Sequence, residues 1–324
     1  MFLSRPTIRV RRFSLGFVCL AVFAQDLTIK TNVPLVQIPV TVTDRKGRFI
    51  ERLEPGDFVV RDEGVPQKFK LDTSDTLVSP VAAVFVVQAS GISAAALAKI
   101  QLVGPLVRPM IGDGGRAAVI AFDSEVEIRQ PFTFDATKFR QAFEGIQPRV
   151  IKKARMYDAI LEAAAILETR PLGDRRIIFL ISESRDRSSH AKLGETIERV
   201  QKAGIAVYPI TYSAQKVAWT ARPEDDPAMP GGPDYGGAVV ELGRLGVPNA
   251  AEAFAHATGG RHQGFTTFDG LQEVLARDAN EIHSQYLLSF TPPDSSERMF
   301  RRLEVFLPKR PDAVVRARPG YWPE

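Results

Sequence analysis

Cysteine is almost missing from this chain: its 324 residues hold one, Cys19. A chain that loses Cys19 cannot use disulfides or cysteine-ligated zinc, and must rely on its core for stability. Histidine is scarce as well. His190, His256, His262 and His283 share no helical spacing, so each reads as a surface or packing residue, and His283 can complement a helix dipole. A membrane-spanning helix needs about 20 consecutive apolar residues. The run from Phe13 to Ala24 is stopped well short of that by Gln25-Asp26. An excess of one charge is also lacking beyond the first residues. Lys and Arg number 42 against 38 Asp and Glu, but Arg5, Arg9, Arg11 and Arg12 precede every acid. Without those four the balance is 38 to 38, so the basic footprint of a nucleic-acid-binding protein is absent.

What is there at the start reads as a leader. The arginines form a basic region, Phe13 to Ala24 an apolar core, and Val22-Phe23-Ala24 offers a small residue for cleavage before Gln25. Residues 1–24 are therefore expected to be a signal peptide, and the mature protein to be secreted or periplasmic, with no integral span. Ser14 and Gly16 fit a twin-arginine pattern poorly, and Val18 before Cys19 does not suit a lipoprotein anchor.

The length suggests roughly two domains of about 150 residues each. In Ile38-Pro39-Val40-Thr41-Val42-Thr43 apolar residues alternate as in a half-buried strand. Turn signals at Asp44-Arg45-Lys46-Gly47, Glu54-Pro55-Gly56-Asp57 and Asp62-Glu63-Gly64 make residues 25–78 a small β section. From Val81 strands alternate with helices. Candidate strands are Val81 to Val87, Ala117 to Phe122, Arg176 to Ser182 and Ile205 to Ile210. Candidate helices are Ser93 to Val103, Ala136 to Gly145, Met156 to Glu168, Leu193 to Ala203, Ala250 to Thr258 and Leu271 to Ser284. This pattern predicts an α/β fold over 79–283, a doubly wound and mostly parallel sheet whose functional rim lies at the carboxyl ends of its strands. Residues 212–249 interrupt it with a Pro- and Gly-rich stretch whose length implies either a functional or a disordered loop; its place after a strand's carboxyl end favours a functional loop or lid. Residues 284–324 are β-rich again. Neither β section is long enough to bury a core alone, so 284–324 is expected to pack with 25–78.

Several stretches taken in order resemble the bacterial von Willebrand factor A-related proteins of acidobacterial type. They include Val40 to Gly47 with Asp57-Phe58, Val84 to Ser93, Met156-Tyr157-Asp158-Ala159-Ile160 and Phe179 to Glu183. Ala257-Thr258-Gly259-Gly260-Arg261, Ser284 to Pro292 and Pro319-Gly320-Tyr321 complete the series. The resemblance implies a divalent cation held by Asp-x-Ser-x-Ser in a first loop, a Thr in a second and an Asp in a third. Here the set is dismantled. Gln88 replaces the Asp, Ser90 is kept, and Ile92 replaces the second Ser. Val150 to Arg155 lacks a Thr and brings three cations, and Glu183 replaces the last Asp. A hard cation needs more oxygen ligands than that, so no metal and no cofactor are expected. A protein cation is expected in the metal's place beside Glu183, with Arg155 preferred to Lys153 for its planar fork.

No nucleophile elbow surrounds Ser188-Ser189-His190, and Gly112-Asp113-Gly114-Gly115 precedes a strand, so it is a turn and no phosphate cradle. The expected function is a non-enzymatic interaction module for adhesion or scaffolding. It would bind an extracytoplasmic protein through rim residues Gln88, Ser90, Asp123, Arg155 and Glu183, none of them catalytic. An uncharacterised hydrolase and an inert envelope component are the alternatives. A fold-level resemblance names no ligand.

Overall fold

The structure, a computed structural model, describes residues 35–72, 79–90, 94–148, 153–171, 173–186, 188–212, 249–293 and 299–323. The expected signal peptide, the interrupting stretch apart from Tyr212 and Asn249, and Ile92 and Lys152 lie outside them.

Apolar residues at every position, rather than at alternate ones, mark a strand buried on both faces. β5 (Val81–Gln88) is such a strand, with all eight residues buried. It lies between β6 (Arg116–Phe122) and β8 (Arg175–Ser182) and pairs parallel with both. With β7 (Val126–Thr133), β9 (Ala206–Tyr212) and β10 (Gln263–Phe265) they form a six-stranded sheet, order β10-β9-β8-β5-β6-β7, in which only β7 runs antiparallel to its neighbour. The two-residue period of β5 divides its side chains between two cores. Val81, Ala83, Phe85 and Val87 enter one, with residues of α1 (Ala94–Ile100), α2 (Val107–Ile111), α3 (Ala136–Glu144) and α7 (Phe268–Ser284). Ala82, Val84 and Val86 enter the other, beneath α4 (Met156–Glu168), α5 (Leu193–Lys202) and α6 (Ala250–Thr258).

The α/β fold with a mostly parallel sheet is thus the one the sequence predicts. The expected single helix Ser93 to Val103 is corrected: α1 ends at Ile100 and a 3-10 stretch, Gln101–Leu106, follows. Pro105 lacks an amide hydrogen and its ring clashes with the carbonyl four residues back, which disfavours a continuous helix. Gly104 in that stretch lies against α3, where an added Cβ would come within 2.5 Å of the Arg140 Cα.

Two further sheets enclose a third core. One has order β13-β1-β11-β4, from β1 (Val36–Thr43), β4 (Lys70–Asp72), β11 (Tyr286–Phe290) and β13 (Val314–Arg316). The other has order β14-β12-β2-β3, from β2 (Val59–Asp62), β3 (Val65–Pro66), β12 (Arg301–Phe306) and β14 (Gly320–Tyr321). β1 and β11 are antiparallel, Val36 facing Phe290 and Val40 facing Tyr286. Val36, Ile38, Val40 and Val42 point into the core with Phe58, Leu288 and Tyr321. The Tyr286 hydroxyl fixes the long connection after β1, donating to the Ile50 carbonyl at 2.9 Å and accepting from the Leu53 amide at 3.0 Å.

A buried ionic knot joins this β-sandwich to the α/β unit. Glu281 of α7 is fully buried, paired with Arg261 at 2.7 Å and with Arg316 of β13. Tyr208 of β9 donates to it at 3.2 Å. Gln285, at the α7–β11 junction, donates to Tyr208 Oη at 3.0 Å and Thr41 Oγ1 at 3.2 Å, and accepts from Arg175 at 2.7 Å. Asp278, one turn before Glu281, accepts from Gln263 at 2.6 Å. Burial, and then the neighbouring Glu281, push the Asp278 carboxyl well above its ordinary value, against the pull of Arg261, Arg316 and Arg277.

Phe85 stacks on Phe179 at 4.8 Å and meets Phe143 edge-on at 5.7 Å. Phe85→Ala should cost about 3–5 kcal/mol in denaturant unfolding; a loss within error would contradict this packing. A carboxyl whose folded pKa is raised keeps its proton to higher pH than in the unfolded chain. Asp278 therefore lowers stability progressively as pH rises from its ordinary value of 3.8 toward its folded value. Asp278→Asn keeps an oxygen for Gln263 and removes that penalty. Its melting temperature should exceed the parent's at neutral pH, with the gap closing in acid; an equal gap at all pH values would count against this account.

Candidate functional site

The rim of the six-stranded sheet is built where β8, β5 and β6 end side by side. Gln88 closes β5 and is buried, as are Ser90, Asp123 and Glu183. Polar side chains in such a place need partners, because an unpaired buried group costs about 1–3 kcal/mol. Gln88 supplies both halves of its amide. Nε2 donates to Ser90 Oγ at 2.7 Å, and Oε1 accepts the Glu183 amide at 2.9 Å. One neutral side chain therefore ties the first loop to the third. Ala89 N donates to the Phe122 carbonyl at 2.7 Å, tying the first loop to β6.

Asp123 organises the next turn, accepting from the Glu125 amide at 2.9 Å and the Ser124 hydroxyl at 3.3 Å. Its carbonyl accepts the Arg155 amide at 2.8 Å, which places Arg155 at the start of α4. The structure thus brings Gln88, Ser90 and Glu183 into one network, and Asp123 and Arg155 into a neighbouring one.

Arg155 is directed elsewhere than the sequence suggests. Its Nε donates to Asp158 at 2.6 Å, Nη1 to the Ser124 carbonyl at 3.5 Å, and Nη2 lies 2.6 Å from His190 Nδ1. The expected pairing with Glu183 is replaced by this i,i+3 pair, because the N-terminal turn of α4 carries its own carboxylate. Asp158 also accepts the His190 amide at 3.1 Å and the Ala191 amide at 3.0 Å. Burial alone would raise its carboxyl. The Ala191 and His190 amides, helped by Arg155, outweigh it and hold the pKa below 3.8.

Two residues essential to this loop escaped the sequence reading. Asp186 Oδ1 accepts the Met156 amide at 2.8 Å, and Ser189 Oγ accepts the Tyr157 amide at 3.0 Å. Together they cap α4 from a separate loop, and Ser189 donates to Asp186 at 2.6 Å. Helix caps are normally read from the residue just before the helix. Here they come from residues some thirty places later, so no local signal marks them. Ser189 is therefore occupied in capping, and the exposed His190 ring lies against Arg155.

A cleft of about 230 Å³ opens beside this network. Ala89, Asp123, Glu125, Glu127, Arg129 and Ile146 are among the residues lining it. Arg129 bonds Glu127 at 2.9 Å and the Gly145 carbonyl at 2.8 Å. Most of these groups belong to β7 and the turn before it, which the sequence reading had not assigned to a strand.

Residues 72–185 match the family model of the von Willebrand factor type A domain. The matched span contains Gln88, Ser90, Asp123, Arg155 and Glu183. Among solved structures, the chain is similar to BatB from Bacteroides thetaiotaomicron, at 18% identity over 63% of this chain and 100% of that one, with a TM-score of 0.45. An aerotolerance-related membrane protein from Bacteroides fragilis matches at 16% identity over 62% of this chain and 98% of that one, TM-score 0.44. Proximal thread matrix protein 1 from the mussel byssus matches at 12% identity over 69% of this chain and 51% of that one, TM-score 0.48. A search of curated proteins found no match.

The cation implied by the type A resemblance does not fit this donor set. Gln88 presents an amide NH₂ toward Ser90, and its oxygen is already engaged by the Glu183 amide. A divalent ion there would meet donor hydrogens where it requires lone pairs. Among the described residues no three His, Cys, Asp or Glu side chains group as metal ligands. Gln88→Ala removes the acceptor of the Glu183 amide and should lower stability by about 1–3 kcal/mol. Thermal unfolding at neutral pH measures it, and an unchanged midpoint would argue against the bridge.

Proposed function

We propose that the protein is an exported, non-enzymatic interaction module that binds a partner protein through its rim without a divalent cation. The observation that carries this reading is the Gln88 bridge, a neutral link between loops at the position where the type A resemblance implies a metal carboxylate. A rim fixed by internal bonds presents the adjacent cleft as a rigid surface, with Glu127 about half exposed at 48% and Arg129 at 31%. Preorganised loops on a rigid sheet lose little entropy when they bind. The engagement of Ser189 with Asp186 and the α4 amides, and of His190 with Arg155, favours this reading over a hydrolase. Among the described residues no helix is long and apolar enough to cross a membrane.

Capture from envelope extracts of the producing cell, with and without chelator, tests the reading. The same partner should be retained in both conditions and lost when Glu127→Lys reverses the charge at that position and cancels the acidic excess of the cleft. Calorimetry with Mg²⁺, Mn²⁺ and Ca²⁺ should show no saturable heat, and none of the three should raise the melting temperature, because an ion that binds only the folded state stabilises it. Loss of the partner in chelator, or a metal-dependent rise in melting temperature, would sink the proposal.

A further inference from the structure

The sandwich carries a second concave surface, unrelated to the rim. After β13 the chain leaves one sheet and enters the other as β14. Thr41 to Thr43 of β1 face Arg316 to Val314, whereas Arg301 and Arg302 of β12 face Tyr321 and Gly320. The Leu303 amide still reaches the Pro319 carbonyl at 2.8 Å. Away from that bond β12 continues beside β2, while β13 lies against β1 in the other sheet. The two sheets separate there, and Val305, Val315 and Ala317 of the sandwich core are only partly covered. A groove of about 520 Å³ occupies the gap, with these side chains and Phe306 along it and two guanidiniums, Arg61 and Arg318, and one carboxylate, Glu304, lining it.

Arg318 is the anomaly in this groove. Every other guanidinium nearby has an acidic partner: Arg316 pairs with Glu281, Arg301 with Asp62 at 2.9 Å, and Arg61 loosely with Glu304 at 3.8 Å. Arg318 is partly exposed, and its Nε, like those of Arg61 and Arg316, is buried without a hydrogen-bond partner among the described residues. Desolvation pushes its pKa down to about 10, and the only opposing influence is the Tyr321 phenol. That phenol is no counter-ion, because burial and then its hydrogen bond to Asp62 raise its own pKa. A partly desolvated guanidinium without an acidic partner is suited to receive an anion. Arg61 is well placed to share a ligand: about 43% exposed, it lies 4.8 Å over the Phe306 ring.

We propose that this groove binds an extended acidic segment of a partner protein, with a carboxylate of that segment received by Arg318 and Arg61. Charge complementarity selects the acid. The half-covered apolar residues, and the stretch of β12 beyond its short pairing with β14, select an extended peptide over a small anion. Such a peptide adds main-chain hydrogen bonds to an open strand edge and places alternate side chains against the core. A planar guanidinium matches a carboxylate in two places, which supplies the specificity.

Fluorescence anisotropy on the full chain tests this with a labelled heptapeptide, Thr-Val-Glu-Val-Glu-Val-Thr, and its counterpart with both Glu replaced by Gln. The acidic peptide should bind saturably. The Gln peptide, and the variants Arg318→Met and Arg61→Gln, should each weaken binding by about tenfold or more, as loss of a charge-assisted contact does. Arg318→Met should melt no lower than the parent, since it removes an uncompensated charge; if it fails to fold, Arg61→Gln carries the test alone. Millimolar inorganic phosphate should compete poorly. Full displacement by phosphate would make this a small-anion site and overturn the peptide proposal, as would absent binding or binding indifferent to both variants. Neither variant touches the rim, so failure here leaves the rim reading standing.

Discussion

One carboxylate, Glu281, holds the two halves of this molecule in register. It sits at zero exposure between Arg261, which follows α6, and Arg316 of the C-terminal β section, with Tyr208 of the central sheet completing its shell. Such a charge is not a generous source of stability, since desolvation consumes most of the Coulombic gain. Its value is positional. Breaking one partner leaves the others buried and uncompensated, so competing arrangements of the two halves are penalised far more than the native one is favoured. Gly259 serves the same junction: it ends α6 in the left-handed region at φ +79°, and a Cβ there would come within 2.8 Å of the Arg318 amide.

The parts of the fold that were legible in the sequence are those governed by short-range pattern. The unbroken apolar run of β5 identifies a strand buried on both faces, and the alternation in Ile38 to Thr43 identifies the face of β1 that enters its core, although Thr41 and Thr43 on the other face are buried too. β7 was not legible. Its charged and polar residues, together with Pro131, suit a solvated edge strand, and such strands carry almost no hydrophobic signal. The same physics hid Glu127 and Arg129, which β7 brings to the cleft beside the rim. At the rim, residue identity alone shows that Gln88 and Glu183 are not the aspartates the resemblance implies. What those residues do instead was not legible. The partner of Arg155 was readable as an i,i+3 pair with Asp158 at the start of α4, a local signal that the resemblance-led pairing with Glu183 passed over.

The rim also shows how a neutral group can hold loops together. An amide joins them through one donor and one acceptor, and Gln88 uses both, to Ser90 and to the Glu183 amide. Beside it lies a cleft whose fixed charges are largely acidic, Asp123, Glu125 and Glu127 against Arg129. The groove near Arg318 carries two guanidiniums, Arg61 and Arg318, against one carboxylate, Glu304, so the two surfaces differ in net sign.

The pairing of β1 with β11 and β13 has a consequence for the order in which the chain can be built. On a ribosome, β1 emerges first and its partner strands emerge after the whole α/β unit. Until then Val36, Ile38, Val40 and Val42 have no sheet to join and no core to enter. The entropic cost of closing so long a loop grows only logarithmically, so the finished molecule tolerates the insertion well. The nascent chain bears the burden as time: an apolar strand stays uncovered for most of synthesis, exposed to other chains and to proteases. Folding of the central sheet shortens that wait, because it brings the end of α7, and with it the start of β11, back toward the strand that has been waiting.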